Sequence, residues 1–337
     1  MGLFGIDSAE RKTVPWRAKS NVRKTVAILG ASGYIGRHII KTLMCSGDCK
    51  IKIFSRSSFL KHGSFSGSDN LGFYEGDLLN PKSLRGFFEP DCIVINLAYS
   101  WGGGEATNLQ MAKNLIQACK AEGIKRLIHC STAAVVGRAS KDLVTEETPC
   151  RPATKYGVTK LKMEKVISEE GKSHFDVAVL RPTSVFGPKG EPLKKLAGDM
   201  MGGSRARNYL KSCLFGARRM NLVSITNVVD AILFLAMHKN DLNGQKFIVS
   251  DDDSPANNFA DVEGVLMKKL NIKKYSVPKI PIPLGLLGLL LRAMGRNNAN
   301  PRCNYSSEKL KKLGFVPQVP FEAALDEYAE WYLTSLV

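Results

Sequence analysis

From residue 25 onward, short apolar runs alternate with stretches in which apolar positions recur at helical spacing. The runs at 25–29, 50–54, 71–74, 92–97, 126–130 and 175–180 predict β-strands. The segments between them at 36–45, 81–88, 106–121 and 154–169 predict helices. This alternation predicts an α/β fold, a doubly wound parallel sheet with helices on both faces and a site at the carboxyl ends of the strands. After Arg181 the rhythm loosens, and Pro182, Gly187, Pro188, Gly190, Pro192 and Gly202-Gly203 predict the loops and helices of a smaller lobe. A strand at 222–225, a helix at 227–237 and a strand at 246–250 are expected to return to the main sheet. Helices at 258–270 and 321–333 complete the lobe. The chain thus divides into a basic leader, residues 1–23, a sheet domain, 24–181, and a mainly substrate-binding lobe, 182–337, with segments around 222–250 rejoining the first.

With 337 residues, 44% hydrophobic and 23% charged, the chain can bury a sizeable core. Its formal net charge of +17 changes the picture, because such a surface attracts anions. The basic residues are spread along the chain without the aromatic interleaving of a nucleic-acid module, so the expected partner is a small anionic molecule and not nucleic acid. Eight cysteines lie scattered with no CxxC pair, and Cys45 and Cys49 read as ordinary thiols, so no metal site is expected. The first residues lack the apolar stretch of a signal peptide, which leads to the expectation of a reducing cytoplasm. No apolar run approaches the ~20 residues that span a bilayer. The nearest, 284–291, reads as a buried helix of the lobe, or as a peripheral membrane contact that would place the protein at the inner face of a membrane.

The candidate chemistry begins at Gly30-Ala31-Ser32-Gly33-Tyr34-Ile35-Gly36, which follows a strand and opens a helix. Backbone amides at that helix start can hold a pyrophosphate while the glycines permit its approach, the arrangement of a Rossmann-type NAD(P)-binding domain. The second strand ends in Ser55-Arg56-Ser57-Ser58, where an acidic residue would accept bonds from the ribose of NAD. Arg56 can instead pair with a 2′-phosphate, which favours NADP; the alternative is a surface arginine beside an NAD site bound through serines. Asp77-Leu78 stands at a strand end where it can contact adenine, or Asp77 can cap the next helix. Asn96-Leu97-Ala98 would form a floor beneath the nicotinamide ribose. Tyr156 and Lys160, four apart on a helix, project from one face, and an ammonium beside a phenol lowers the phenol's pKa and makes an acid/base unit. The Thr132 hydroxyl, at the end of the fifth strand, can orient a substrate oxygen.

These motifs resemble the extended short-chain dehydrogenase/reductases, also called the NAD-dependent epimerase/dehydratase family, over about residues 25–333. The resemblance rests on Gly30 to Gly36, Gly76-Asp77-Leu78, Asn96-Leu97-Ala98, Asn108 with Asn114, Ser131-Thr132, Tyr156-Gly157-Val158-Thr159-Lys160 and Leu180-Arg181-Pro182. It implies that Tyr156 is the acid/base, that Lys160 also binds the nicotinamide ribose, that Thr132 steadies the reacting oxygen and that Asn108 lies among the cofactor residues. Ala133 and Ala134 stand where the 4,6-dehydratases carry an acidic pair, which argues against that reaction. Val136 and Ser184 depart from the tyrosine and asparagine of many UDP-galactose-type epimerases, Ser184 being a substrate-side position. The downstream half, from Arg218-Arg219 through Asp230-Ala231, looks like bacterial enzymes of surface-polysaccharide assembly that act at C4 of a UDP-sugar or polyprenyl-diphosphate sugar. Similar segments occur in the 3β-hydroxysteroid dehydrogenase branch. Arg218 and Arg219 read as diphosphate clamps or as solvated surface arginines. The implied activity is a sugar epimerase or reductase, with a hydroxy-lipid dehydrogenase and a non-catalytic NADP sensor as alternatives, and the family also implies a two-helix homodimer.

Overall fold

A computed structural model describes residues 24–56, 70–139, 141–295 and 300–336. The basic leader and Ser57-Ser58 lie outside the described residues. Strand β1 (Lys24–Leu29) runs through Gly30 into α1 (Tyr34–Ser46), which stops where Gly47 turns left-handed at φ 69° and its N–H donates to the Leu43 carbonyl. β2 (Cys49–Ser55), β3 (Leu71–Glu75) and β4 (Ile93–Asn96) follow. α2 (Gly104–Glu122) also ends on a left-handed glycine, Gly123 at φ 63°, before β5 (Arg126–Cys130). After the short β6 (Leu143–Val144) comes α3 (Lys155–Gly171), capped by the Thr154 hydroxyl, which accepts from the Gly157 N–H at 3.0 Å. β7 (Asp176–Pro182), β8 (Ser184–Phe186), α4 (Lys194–Gly202), α5 (Arg205–Phe215), β9 (Leu222–Ser224), α6 (Ile225–Met237) and β10 (Gln245–Val249) continue the chain. α7 (Phe259–Lys269), α8 (Leu284–Ala293), β11 (Asn304–Tyr305), α9 (Glu308–Lys312) and α10 (Phe321–Thr334) complete it.

Seven strands form one sheet in the order β10-β7-β5-β4-β1-β2-β3, with every neighbouring pair parallel. The chain winds outward from β1 to β3, returns across β1 to β4, and winds outward the other way. The crevice between the carboxyl ends of β1 and β4 is therefore the switch point where a ligand fits. Val26 and Ile28 pack with Ile39 and Leu43 of α1 and Val228 and Ile232 of α6 on one face. Ala27, Leu29 and Val94 pack with Leu115 and Ile116 of α2 and Met163 and Ile167 of α3 on the other. Burial on both faces is why these strands read as continuous apolar runs. A separate cluster around Phe186, Leu266 and Tyr328 joins α4, α7 and α10 in the lobe.

Two segments differ from expectation. Strand 222–225 does not return to the main sheet; β9 pairs with β8 in a separate two-stranded sheet, and β10 alone joins the large one. The expected helix at 81–88 is a single 3-10 turn, Pro81–Leu84, because Gly86 sits in the left-handed region at φ 69° and ends it. At the amino end of β5, the guanidinium of Arg126, 1% exposed, pairs with Asp176 and donates to the carbonyls of Leu235, Ala236, His238 and Asn240 at 2.6–3.3 Å. No helix among the described residues is long and apolar enough to cross a membrane, and no group of metal ligands occurs among them.

Candidate active site

The turn after β1 is shaped by close backbone approach. Gly30 has φ 79°, and a Cβ there would lie 2.7 Å from the Leu97 carbonyl carbon and 2.8 Å from the Ala98 nitrogen. A Cβ at Gly36 would lie 2.6 Å from the Gly30 oxygen, so this glycine lets α1 press against the turn. Gly33 differs: it is the N-cap of α1 at φ −71°, exposed, with only the Gly30 oxygen near its missing side chain. No side chain caps α1 and no acidic residue stands in its first turn, so the positive end of the helix is not neutralised by the chain itself. Arg37 Nε braces the turn by donating to the Ser32 carbonyl at 2.8 Å. This bare helix start, with Ser32, Gly33, Tyr34 and Ile35 along it, fits a pyrophosphate. The Tyr34 ring itself turns away and packs against His38 and the Gly187–Gly190 turn.

Across the switch point, Asn96 Oδ1 accepts from the Ala98 N–H at 3.1 Å. Its amide nitrogen is thereby turned to His129 Nδ1 at 3.2 Å, which must accept, leaving the histidine proton on Nε2. Burial, then the charge of Lys160, push His129 well below its ordinary pKa, so the ring is neutral. The next residues along the chain bring the aromatic wall of the site. Tyr99 meets Tyr156 edge-on at 5.1 Å, and Trp101 stacks on Tyr156.

Tyr156 and Lys160 share one face of α3, and both reach the end of β5. The Lys160 ammonium, 3% exposed, donates to the Cys130 carbonyl at 2.8 Å and lies 5.3 Å from the Tyr99 ring centroid. Burial lowers its pKa, against the pull of Cys130 and of Glu164 one turn further on. Glu164 is itself held in a buried two-pronged pair by Arg181, Nε to Oε1 at 3.0 Å and Nη2 to Oε2 at 2.6 Å. The Tyr156 phenol is pushed above its ordinary value by burial, and its hydrogen bond with the Thr132 side chain only partly opposes this. The expectation that Lys160 holds the phenol in an acidic range is therefore corrected: the ammonium is committed to a carbonyl, and desolvation of the phenol wins.

The remaining expected residues are placed unevenly. Leu97 and Ala98 lie against Gly30, as a floor there requires. Arg56 stands exposed just beyond β2. Asp77 does not cap the 3-10 turn, which Asn80 does; its Oδ1 accepts from the Leu79 N–H at 2.9 Å within its own turn. Leu78 is a core side chain whose carbonyl accepts from Asn114. Asn108 is not open to a cofactor: its Nδ2 donates to the Ser100 and Gly104 carbonyls and its Oδ1 accepts from the Ser100 N–H, so it clamps the loop that carries Trp101. Ser184 is exposed and its N–H donates to the Asn221 carbonyl. Arg219 is half-buried, and its guanidinium donates to the carbonyls of Asp252 and Ser254 at 3.2 and 3.0 Å. Arg218 lies 5.8 Å from the Phe215 ring centroid. Tyr99 and Trp101 escaped the sequence reading; an aromatic pair before three glycines was the available signal.

The family model of the NAD dependent epimerase/dehydratase family matches residues 26–250. The chain is 26% identical to the sterol-4-alpha-carboxylate 3-dehydrogenase (decarboxylating) of Mus musculus, over 90% of this chain and 89% of that protein. It is 25% identical to the N-acetyl-alpha-D-glucosaminyl-diphospho-ditrans,octacis-undecaprenol 4-epimerase of Escherichia coli O157:H7, over 88% and 87% of the two chains. Among solved structures, the Bordetella bronchiseptica enzyme WbmG in complex with NAD and UDP superposes with a TM-score of 0.72 at 20% identity, covering 93% of this chain and 95% of that one.

Proposed function

Because the chain belongs to the NAD dependent epimerase/dehydratase family, and so is an NAD-dependent enzyme, we propose that it acts on a hydroxyl or keto carbon of a sugar carried on a nucleotide or polyprenyl diphosphate. One observation carries the reading. Tyr156, Thr132 and Lys160 converge at the end of β5, and Tyr156 touches Tyr99, two residues beyond the Leu97 against which the Gly30 turn is built. The net charge of +17 supports an anionic substrate.

The glycine turn and the start of α1 would hold the pyrophosphate, Leu97 and Ala98 would floor the nicotinamide ribose, and Lys160 would bind that ribose. Arg56, with Ser55 in place of an acidic residue, supports a 2′-phosphate and hence NADP. When bound, the dinucleotide supplies two-electron exchange with the substrate carbon. Tyr156 passes the proton to and from the attached oxygen, and Thr132 holds that oxygen beside the phenol. A phenol pushed upward by burial is protonated at neutral pH, the state needed to donate to a carbonyl oxygen under reduction. For oxidation the phenol oxygen must instead take the proton of the substrate hydroxyl, which needs its phenolate, a state that burial opposes and that the Lys160 ammonium, donating to the Cys130 carbonyl, does not supply by itself.

A second reading, a hydroxy-lipid dehydrogenase, is favoured by the aromatic wall: Trp101 and Tyr99 beside Tyr156 form an apolar surface on which a fused ring can lie. The test is mass spectrometry of the cofactor retained on purification, followed by turnover assays on UDP-sugars and on 3-hydroxysterols. Interconversion of C4 epimers, or NAD(P)H-linked turnover of a sugar, supports the first reading. Turnover confined to sterols supports the second, and turnover of neither overturns both.

A further inference from the structure

α8 is apolar on two faces. Leu287 and Leu291 are buried in the lobe, whereas Leu286, Leu289, Leu290 and Met294, at spacings of three and four, are 41–64% exposed. The segment before it is fixed on α5: Arg205 donates to the Lys273 and Lys274 carbonyls, Tyr209 to the Pro278 carbonyl at 2.8 Å, and the Ile282 N–H to the Cys213 carbonyl at 3.2 Å. That segment adds Val277 and Ile280, 58% and 74% exposed. Six of the fourteen large apolar side chains exposed among the described residues thus fall within residues 277–294, a concentration that marks a contact surface rather than scattered exposure.

The charge carried by these segments has one sign, although Lys279 is paired with Glu263 and both Arg207 and Lys211 with Asp199. Residues 264–307 contain eight Lys and Arg and no Asp or Glu, and residues 200–229, which include α5, contain five and none. Because α5 and the 273–282 segment meet, exposed Arg205, Lys273, Lys274 and Arg292 border the apolar side chains. An isologous dimer through this face would set a cationic rim against its own copy, which electrostatics opposes. A phospholipid surface supplies what the face asks for, an acyl boundary for the leucines and anionic headgroups for the rim.

We propose that α8 and the 273–282 segment seat the protein on an anionic membrane leaflet as a peripheral contact. The helix is too short to span the bilayer and lies along its surface. The inference does not depend on which substrate the enzyme turns over.

The full chain should co-sediment with vesicles of phosphatidylcholine plus phosphatidylglycerol and not with phosphatidylcholine alone. Leu289→Glu with Leu290→Glu should abolish the association, and Lys273→Ala with Lys274→Ala should weaken it about tenfold or more. Unchanged thermal melting and dinucleotide binding in both variants would show that the fold survives. Equal sedimentation with the two vesicle types, no sedimentation with either, or variants that bind like the parent would overturn the proposal. So would light scattering that finds the parent dimeric and the Leu289→Glu, Leu290→Glu variant monomeric, since a second copy would then cover the face.

Discussion

Trp101 lies nearly flat on Tyr156, with ring centroids 5.0 Å apart and planes 17° from parallel, while remaining 77% exposed itself. A solvent-facing indole thus shields the ring that carries the proposed acid/base oxygen. Trp101→Ala should lower the Tyr156 pKa toward the ordinary ~10, because burial is what raises it. Ultraviolet titration of tyrosinate, compared with the parent, reads the shift. An unchanged or upward-moving Tyr156 would show that the indole does not control its solvation.

Tyr156→Phe should lower turnover by ~10²- to 10⁴-fold and leave dinucleotide affinity nearly intact, and Thr132→Val should cost less because the proton donor remains. Lys160→Met should harm both turnover and cofactor binding. It should also lower the melting temperature, since it strips the Cys130 carbonyl of its donor and leaves the Glu164–Arg181 pair without the neighbouring cation. Near-normal turnover by Tyr156→Phe on a verified substrate would remove it from the mechanism.

Two glycines of the turn, Gly33 and Gly36, should separate binding from folding. Gly33→Ala is sterically mild, with its Cβ 3.2 Å from the Gly30 oxygen and φ at −71°, so the variant should fold. Its methyl group occupies the approach to the helix start, and dinucleotide affinity should fall roughly tenfold or more, the loss of about one charge-assisted hydrogen bond. Gly36→Ala meets backbone at 2.6 and 2.7 Å and should lower the melting temperature instead. Calorimetry of binding and of unfolding distinguishes the two.

Arg56→Ala should weaken NADPH more than NADH, because only the former offers a phosphate to the guanidinium. Affinities measured by fluorescence titration settle the comparison, and equal losses, or a parent that prefers NADH, would count against the NADP reading.

Asp251 and Asp252 should give the stability curve an unusual slope. Asp251 accepts from the Ser224 N–H and the Asn227 amide, Asp252 from the Asn221 amide and the Tyr305 N–H. Burial nevertheless pushes each carboxyl up to about 6. With the folded value above the unfolded ~3.9, the native state binds the extra protons, so this stability is present at low pH and is lost as pH rises through 6. The size is on the order of 1–3 kcal/mol per carboxyl. His38, pushed down to about 4 by burial, contributes with the opposite sign, so the informative quantity is a difference. The melting temperature of the parent minus that of Asp251→Asn should fall between pH 4.5 and 7. A flat difference would place the Asp251 carboxyl near its ordinary value.

The glycine turn and the Tyr156–Lys160 pair could be read before any coordinates because their geometry is local: a strand running into a helix, and two residues one turn apart. Trp101 could not, because its meeting with Tyr156 depends on how the loop after β4 lies against the start of α3. Asn108 misled for a related reason. A carboxamide looks like a ligand group in a sequence, and only the fold shows that backbone groups already occupy it. Strand 222–225 has the composition of a strand, but composition does not name its partner, which the fold makes β8.

Arg126 sets a limit on modularity. Its side chain begins on β5, in the middle of the sheet domain, yet four of the carbonyls it serves belong to residues 235–240, beyond the Arg181 boundary drawn from the sequence. A fragment excised at that boundary would carry a guanidinium built for a dry socket with half the socket missing, and Asp176 alone to answer it. The cofactor half of this enzyme is thus no detachable module, and swapping its lobe for another's would have to carry α6 and β10 along with the sheet.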